Sequence, residues 1–323
     1  MARPIRAAVI GVGHFGQYHA DKLAAAEGVE FVAAVDRHVD RAVAIAARHG
    51  VEAMTDYRLL LGRVDAVSVA TPPASHYPIA KDFLEHGAHV LVEKPITQTM
   101  EEADSLIRLA ADRGKVLQVG HIERFSAVGR RIGEMVKRPL FIQTRRMGLF
   151  KPRGEAVSAV LDLMIHDLDL VLDLVGSPIE WIHSVGAPVV TTADDIANCR
   201  IQFANGCVAD LSVSRVSSRT ERKMRIFEKD SCTSVDFLKR RIGVFRLRTP
   251  AEGGGPEISF ADTVYPLVDT LAEEIASFLE AVRGDHGALV TGEDGRRALE
   301  AALAIDRQLQ DYRRRLDITE PGG

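Results

Sequence analysis

Two textures alternate over the first 120 positions. Short unbroken apolar runs fall at 6–10, 31–35, 66–70, 88–92 and 116–119. Between them lie FGQYHADKLAAA, HVDRAVAIAARHG, SHYPIAKDFLEHG and TMEEADSLIRLAADRG, where apolar residues recur three and four apart. The runs read as strands covered on both faces and the spaced stretches as amphipathic helices, so this part predicts βαβ units around a parallel sheet. Three helical stretches end in His49-Gly50, His86-Gly87 and Arg113-Gly114, which suits a C-cap and the negative end of a helix dipole. Ser75 is placed to cap the start of the third helix.

After about residue 120 the pattern changes. RFSAVGRRIGEMV reads as helix, PLFIQTRRMG as strand, and 155–175 as a long helix. Strand-like runs follow at 181–190, 197–203, 208–213, 223–228 and 233–237, with Asn205-Gly206 as a hairpin turn. RIGVFRLRT reads as a further strand and PAEGGGPE as a loop; helices at 267–283 and 293–315 close the chain. Consecutive antiparallel strands predict a second, α+β domain on an open, mostly antiparallel sheet. The expected division is an α/β domain over 1–120 and an α+β domain over 121–323.

Composition narrows the function. The 323 residues are 46% hydrophobic and 27% charged, with a net charge of −4. A mild acidic balance gives no reason to expect nucleic acid or a membrane as partner. No leader pattern and no apolar run of spanning length stands out. Cys199, Cys207 and Cys232 are odd in number and lack CxxC spacing, so neither a disulfide framework nor a zinc site is expected. The chain reads as a soluble cytoplasmic protein.

The chemistry begins at Gly11-x-Gly13-x-x-Gly16, directly after the first strand, with His14 and Phe15 inside the loop. Glycines there allow a tight turn and let backbone N–H groups approach a pyrophosphate at a helix N-terminus. Asp36 ends the second strand, 20 residues beyond Gly16, where a carboxylate accepts ribose hydroxyls and favours NAD. Arg37 can stack on adenine or meet a 2′-phosphate, which keeps NADP open. In a doubly wound sheet, ligands lie beyond the carboxyl ends of the strands, and Thr71, Pro72, Glu93 and Lys94 all fall there. His76 reads equally as a surface histidine or as a nicotinamide contact. Lys94 stands between an acid and Pro95, where solubility alone does not account for it.

A second cluster lies in EAVSAVLDLMIHDLDLVLDLVG. At 100° per residue, Asp162, His166, Asp169 and Asp173 fall within about 60° of one another on an otherwise apolar helix. That stripe is either a solvated face or a site. Asp162 and His166 are an i, i+4 pair, and a carboxylate beside an imidazole orients it for proton transfer.

Together these residues resemble the Gfo/Idh/MocA oxidoreductases, named after glucose–fructose oxidoreductase and inositol dehydrogenase. The resemblance rests on the glycine loop, Thr71-Pro72 with His76, Glu93-Lys94-Pro95, Asp162-x-x-x-His166 and the closing TGEDGRRALEAALAI. It implies that His166 accepts the proton of a substrate hydroxyl, Lys94 binds the same oxygen, and Asp162 assists Lys94 or positions substrate. It also implies hydride transfer to a nicotinamide without a metal, and a homodimer or homotetramer.

LQVGHIERFSAV and LDLMIHDLDLVL further resemble the subgroup that oxidises C3 of UDP-N-acetylglucosamine for lipid A precursors, although Ser126-Ala127 stands where that subgroup carries Asn-Pro. A diphosphate would need arginines; Arg124, Arg145, Arg146, Lys151 and Arg153 are the candidates, some of them expected to be merely solvated. A free-sugar or inositol dehydrogenase would not need them. An NAD-dependent glycosidase and a non-catalytic dinucleotide sensor are the remaining alternatives.

Overall fold

The computed structural model describes residues 3–150, 157–248 and 257–316. In chain order, its first ten elements are β1 (Ile5–Ile10), α1 (Gly16–Ala25), β2 (Val29–Val35), α2 (Val39–His49), β3 (Glu52–Met54), β4 (Ala66–Val69), α3 (His76–Glu85), β5 (His89–Glu93), α4 (Met100–Asp112) and β6 (Leu117–Gly120). There follow α5 (Ala127–Met135), β7 (Phe141–Met147), α6 (Ile165–Val175), β8 (Ile179–Ala187), β9 (Ile196–Phe203), β10 (Val208–Ser214) and β11 (Glu221–Glu228). The chain ends with β12 (Ser231–Asp236), β13 (Arg241–Arg248), β14 (Glu257–Val264), α7 (Thr270–Arg283) and α8 (Gly292–Arg315).

The chain divides into two compact units, Met1–Phe125 with Asp269–Leu299, and Ser126–Val268 with Glu300–Gly323. The first holds a six-stranded sheet in the order β3-β2-β1-β4-β5-β6, every pair parallel. Its central strands are buried because helices cover both faces, as their unbroken apolar runs require. Strand β3 is short and carries two exposed residues, too little pattern to read from sequence. Gly50 has φ +69° and caps α2, as His49-Gly50 suggests. Ser75 does not cap α3: its hydroxyl donates to the Pro72 carbonyl instead, at 2.8 Å.

The units are not the contiguous 1–120 and 121–323 of the expected division. Helix α7 presents Ile275, Phe278 and Leu279 to Val9, Leu23 and Leu91 in the first unit's core. Burying that apolar face draws 269–299 back to the N-terminal sheet.

The second unit carries an open eight-stranded sheet, β14-β13-β12-β11-β7-β10-β9-β8. All its pairs are antiparallel except β7 with β10. The Asn205-Gly206 turn joins β9 to β10, as expected, with Gly206 at φ +86°. Helix α6 packs on β7 and β10. Ile142, Thr144 and Arg146 are buried along β7, whereas Arg145 is exposed and alternates to the other face. Strand β14 is exposed along its whole length and gives no alternation to read. The segment read as loop at 250–257 lies, but for its last residue, outside the described residues.

Candidate active site

The glycine loop leaves β1 and enters α1 with a geometry that only glycines allow. Gly11 has φ +88°, and a Cβ there would lie 2.7 Å from Thr71 Cγ2. A Cβ on Gly16 would meet the Gly11 carbonyl oxygen at 1.7 Å. A Cβ on Gly13 would have only Arg41 Nη1 near it, at 3.8 Å, so this residue keeps its backbone open to a ligand. No side chain caps the N-terminus of α1 and its first turn carries no acid. The helix therefore presents N–H groups and partial positive charge to an incoming phosphate.

A cleft of about 720 Å³ opens at this loop. Gly11, Gly13, His14, Phe15, Asp36, Arg37, Thr71 and Pro72 line it, so the structure brings these sequence candidates together. Asp36 is nearly buried; its Oδ2 accepts the Val12 N–H at 3.1 Å and its Oδ1 the His38 N–H at 2.9 Å. Two backbone donors fix the carboxylate, and each oxygen keeps a lone pair for a ribose hydroxyl. Arg41, Tyr57 and Arg58 also line the cleft. Sequence reading missed them; Tyr57 and Arg58 follow the unrecognised β3, and Arg41 sits in the first turn of α2. Cleft and donors fit a dinucleotide.

Thr71 and Lys94 follow the ends of the neighbouring strands β4 and β5. His76 is fully buried and is therefore not a surface residue. Its Nε2 lies 2.8 Å from the Thr71 carbonyl oxygen and its Nδ1 2.8 Å from that of Pro95. Each ring nitrogen faces a backbone carbonyl, so His76 sits between the two strand ends and donates to one of them when neutral and to both when protonated. Burial pushes its pKa down, against those two hydrogen bonds. The Lys94–Pro95 peptide is cis, and the Lys94 N–H donates to Glu93 Oε2 at 3.3 Å.

His166 and Asp162 belong to the second unit. His166 lies in the first turn of α6 and is half-buried. The expected uninterrupted α-helix is preceded by a π-helical turn, Val160–Met164, which contains Asp162. Such turns recur at functional sites. The stripe is not uniform: Asp173 is exposed but Asp169 is buried.

The basic group does not assemble as expected. Arg146 is buried and makes a bidentate pair with Asp167, Nε to Oδ2 at 3.0 Å and Nη2 to Oδ1 at 2.9 Å. Arg145 lies on the sheet face opposite α6, 3.8 Å from Glu221. Arg124 is buried in the first unit, with Nη2 3.7 Å from Asp294, and Lys151 and Arg153 lie outside the described residues. Ser126, where Asn was anticipated, caps α5 by accepting the Gly129 N–H at 2.9 Å. Ser and Asn cap equally well.

Comparison with known proteins agrees with this geometry. Residues 5–121 match the model described as "Oxidoreductase family, NAD-binding Rossmann fold", and residues 138–230 the "GFO/IDH/MocA C-terminal domain". The chain is 37% identical to UDP-N-acetylglucosamine 3-dehydrogenase from Acidithiobacillus ferrooxidans, over 93% of this chain and 96% of that one. It is 30% identical to scyllo-inositol 2-dehydrogenase (NAD(+)) from Bacillus subtilis, over 96% of each. A solved structure of the Acidithiobacillus protein superposes with a TM-score of 0.90 at 36% identity, covering 97% of this chain and 99% of that one. A glycine loop shaped for a dinucleotide, the two-sheet architecture and these full-length likenesses agree: the chain belongs to the Gfo/Idh/MocA family of oxidoreductases.

Proposed function

We propose that this enzyme oxidises a secondary hydroxyl of a nucleotide sugar with NAD, at C3 of UDP-N-acetylglucosamine, giving a 3-keto sugar for lipid A precursor synthesis. The observation that carries this reading is the likeness to the Acidithiobacillus dehydrogenase along nearly the whole of both chains. The first unit holds the cofactor and the second the substrate.

Bound NAD supplies the hydride acceptor. The open backbone at Gly13 and the uncapped start of α1 would hold its pyrophosphate, and Asp36 its adenosine ribose. Lys94, after the end of β5, donates to the substrate oxygen and stabilises its developing negative charge. His166 takes the hydroxyl proton as general base, and Asp162, in the π-turn, orients substrate or assists Lys94. His76 and Glu93 fix the strand ends that present Thr71 and Lys94. Arg124, Lys151 and Arg153 are the candidate diphosphate contacts.

Three free cysteines fit a reducing, cytoplasmic compartment, and among the described residues no helix is long and apolar enough to cross a membrane. Exposed Phe245, Ile258, Phe260 and Val264 on β13 and the edge strand β14 fit a second copy of the chain, in a homodimer or homotetramer.

The test is NADH formation with UDP-sugars, free sugars and inositols offered in parallel. Turnover of UDP-N-acetylglucosamine with competition by UDP is expected. Turnover of inositol or a free sugar alone, without UDP competition, would transfer the assignment to that alternative.

A further inference from the structure

Elements α1, β4, β5 and α7 of the first unit converge on His19, Ser68, Glu93 and Glu274. His19 is buried, with Nδ1 2.8 Å from Ser68 Oγ and Nε2 3.1 Å from Glu93 Oε1. Glu274 is 0% exposed, and neither of its carboxyl oxygens has a hydrogen-bond partner. One ligand-type atom from each of His19, Glu93 and Glu274 lies within 4.8 Å of the others. Sequence reading expected no metal-ligand set, so this cluster needs an account.

The surrounding groups limit that account. Gln118 of β6 donates to the backbone carbonyl of Glu274 at 3.1 Å, not to its carboxyl. Lys94 and His76 act electrostatically on Glu93. Lys22 of α1 pairs with Asp269 at the start of α7. The turn carrying Glu123 and Arg124 packs on α7, and Arg124 faces Asp294. Compensation therefore reaches Glu93 and not Glu274. Two ionised carboxylates this close in a buried site repel strongly, and one compensated charge is the stable arrangement.

We propose that Glu274 is a neutral carboxylic acid beside the Glu93 carboxylate, and so acts as a positioning residue for Lys94. Burial and the charge of Glu93 push the Glu274 carboxyl well up. Burial also opposes ionisation of Glu93, but His19, Lys94 and His76 overcome it and hold that carboxyl below the ordinary range. The pair then carries one negative charge beneath the strand end. Glu93 stays in place to accept the Lys94 N–H, and the Lys94 ammonium is not drawn from substrate by a second carboxylate. This positioning role rests on the proposed part of Lys94 in dehydrogenation.

The test uses the full-length, NAD-bound protein. The infrared difference between wild type and Glu274→Gln at neutral pH should contain the C=O stretch of a protonated carboxylic acid. Glu274→Gln, a permanently neutral polar mimic, should keep kcat and NAD affinity within about threefold, while Glu274→Leu, which removes the polar group from beside the Glu93 carboxylate, should lose about tenfold or more in kcat. Absence of the acid band overturns the proposal. So does a stoichiometric divalent metal in the purified protein, or a Glu274→Leu variant as active as Glu274→Gln. An acid band together with a fully active Lys94→Ala leaves the buried acid standing, removes its positioning role, and shows that the reading of Lys94 has failed.

Discussion

Arg146 and Asp167 face each other inside the second unit as a two-pronged ion pair, with 4% and 5% of their side chains exposed. Removing one partner strands the other charge in a buried site. Arg146→Ala should therefore lose about 3–5 kcal/mol of stability in urea denaturation. Replacing both residues by apolar ones of similar volume should recover most of that loss.

Lys94→Ala and His166→Ala should each lower kcat by about 10²–10⁴-fold. NAD affinity, followed by fluorescence quenching, should change by less than roughly tenfold, because the glycine loop and Asp36 are the proposed principal cofactor contacts. Near-normal turnover by folded His166→Ala would remove it as the base.

NAD should be preferred over NADP because Asp36, the proposed acceptor for the ribose hydroxyls, is fixed by two backbone donors. The comparison of kcat/KM for both cofactors should favour NAD in the wild type, and Asp36→Ala should narrow the difference. A wild-type preference for NADP would place Arg37 and Arg41 in charge of the adenosine end.

Asp306 of α8 links pH to stability. Burial raises its pKa from 3.8 to about 6, even though Ser158 donates to it and Arg313 lies nearby; Asp194 adds to the rise. Below about pH 4 the acid is protonated in folded and unfolded chains alike and has no effect. Between about pH 4 and about pH 6 the unfolded chain ionises while the folded chain stays protonated, so stability falls across that window and levels off above it. Asp306→Asn should match wild type near about pH 4 and exceed it by roughly 3 kcal/mol near about pH 7.5 in denaturant titrations.

The first unit was legible wherever periodicity and punctuation agreed. Its five longer strands, its helices, Gly11, Asp36 and the strand-end Lys94 follow from runs and turns that are local in sequence. What escaped depends on contacts distant in the chain. Arg146 reads as a phosphate ligand until Asp167, 21 residues away, is seen to occupy it. His76 reads as either a surface histidine or a nicotinamide contact until the Thr71 and Pro95 carbonyls close around it. Glu274 lies 181 residues beyond Glu93 and, on an amphipathic helix, looks like one more solvated acid. The return of α7 to the first unit was hidden for the same reason.

Strand β7 has a consequence for how fast the second unit can be made. β8, β9 and β10 form one meander and β11 to β14 another, each assembled from chain neighbours. The two meet only through β7, since β10 and β11 are consecutive in the chain yet unpaired. Phe141 pairs with Val208 and with Phe227, so this central strand waits for partners that emerge about 65–85 residues later. Such non-local pairing slows folding. Until β7 is seated, the unit is two hairpin arrays with facing raw edges, and substitutions along that strand should slow refolding more than equal destabilisation in β13 or β14.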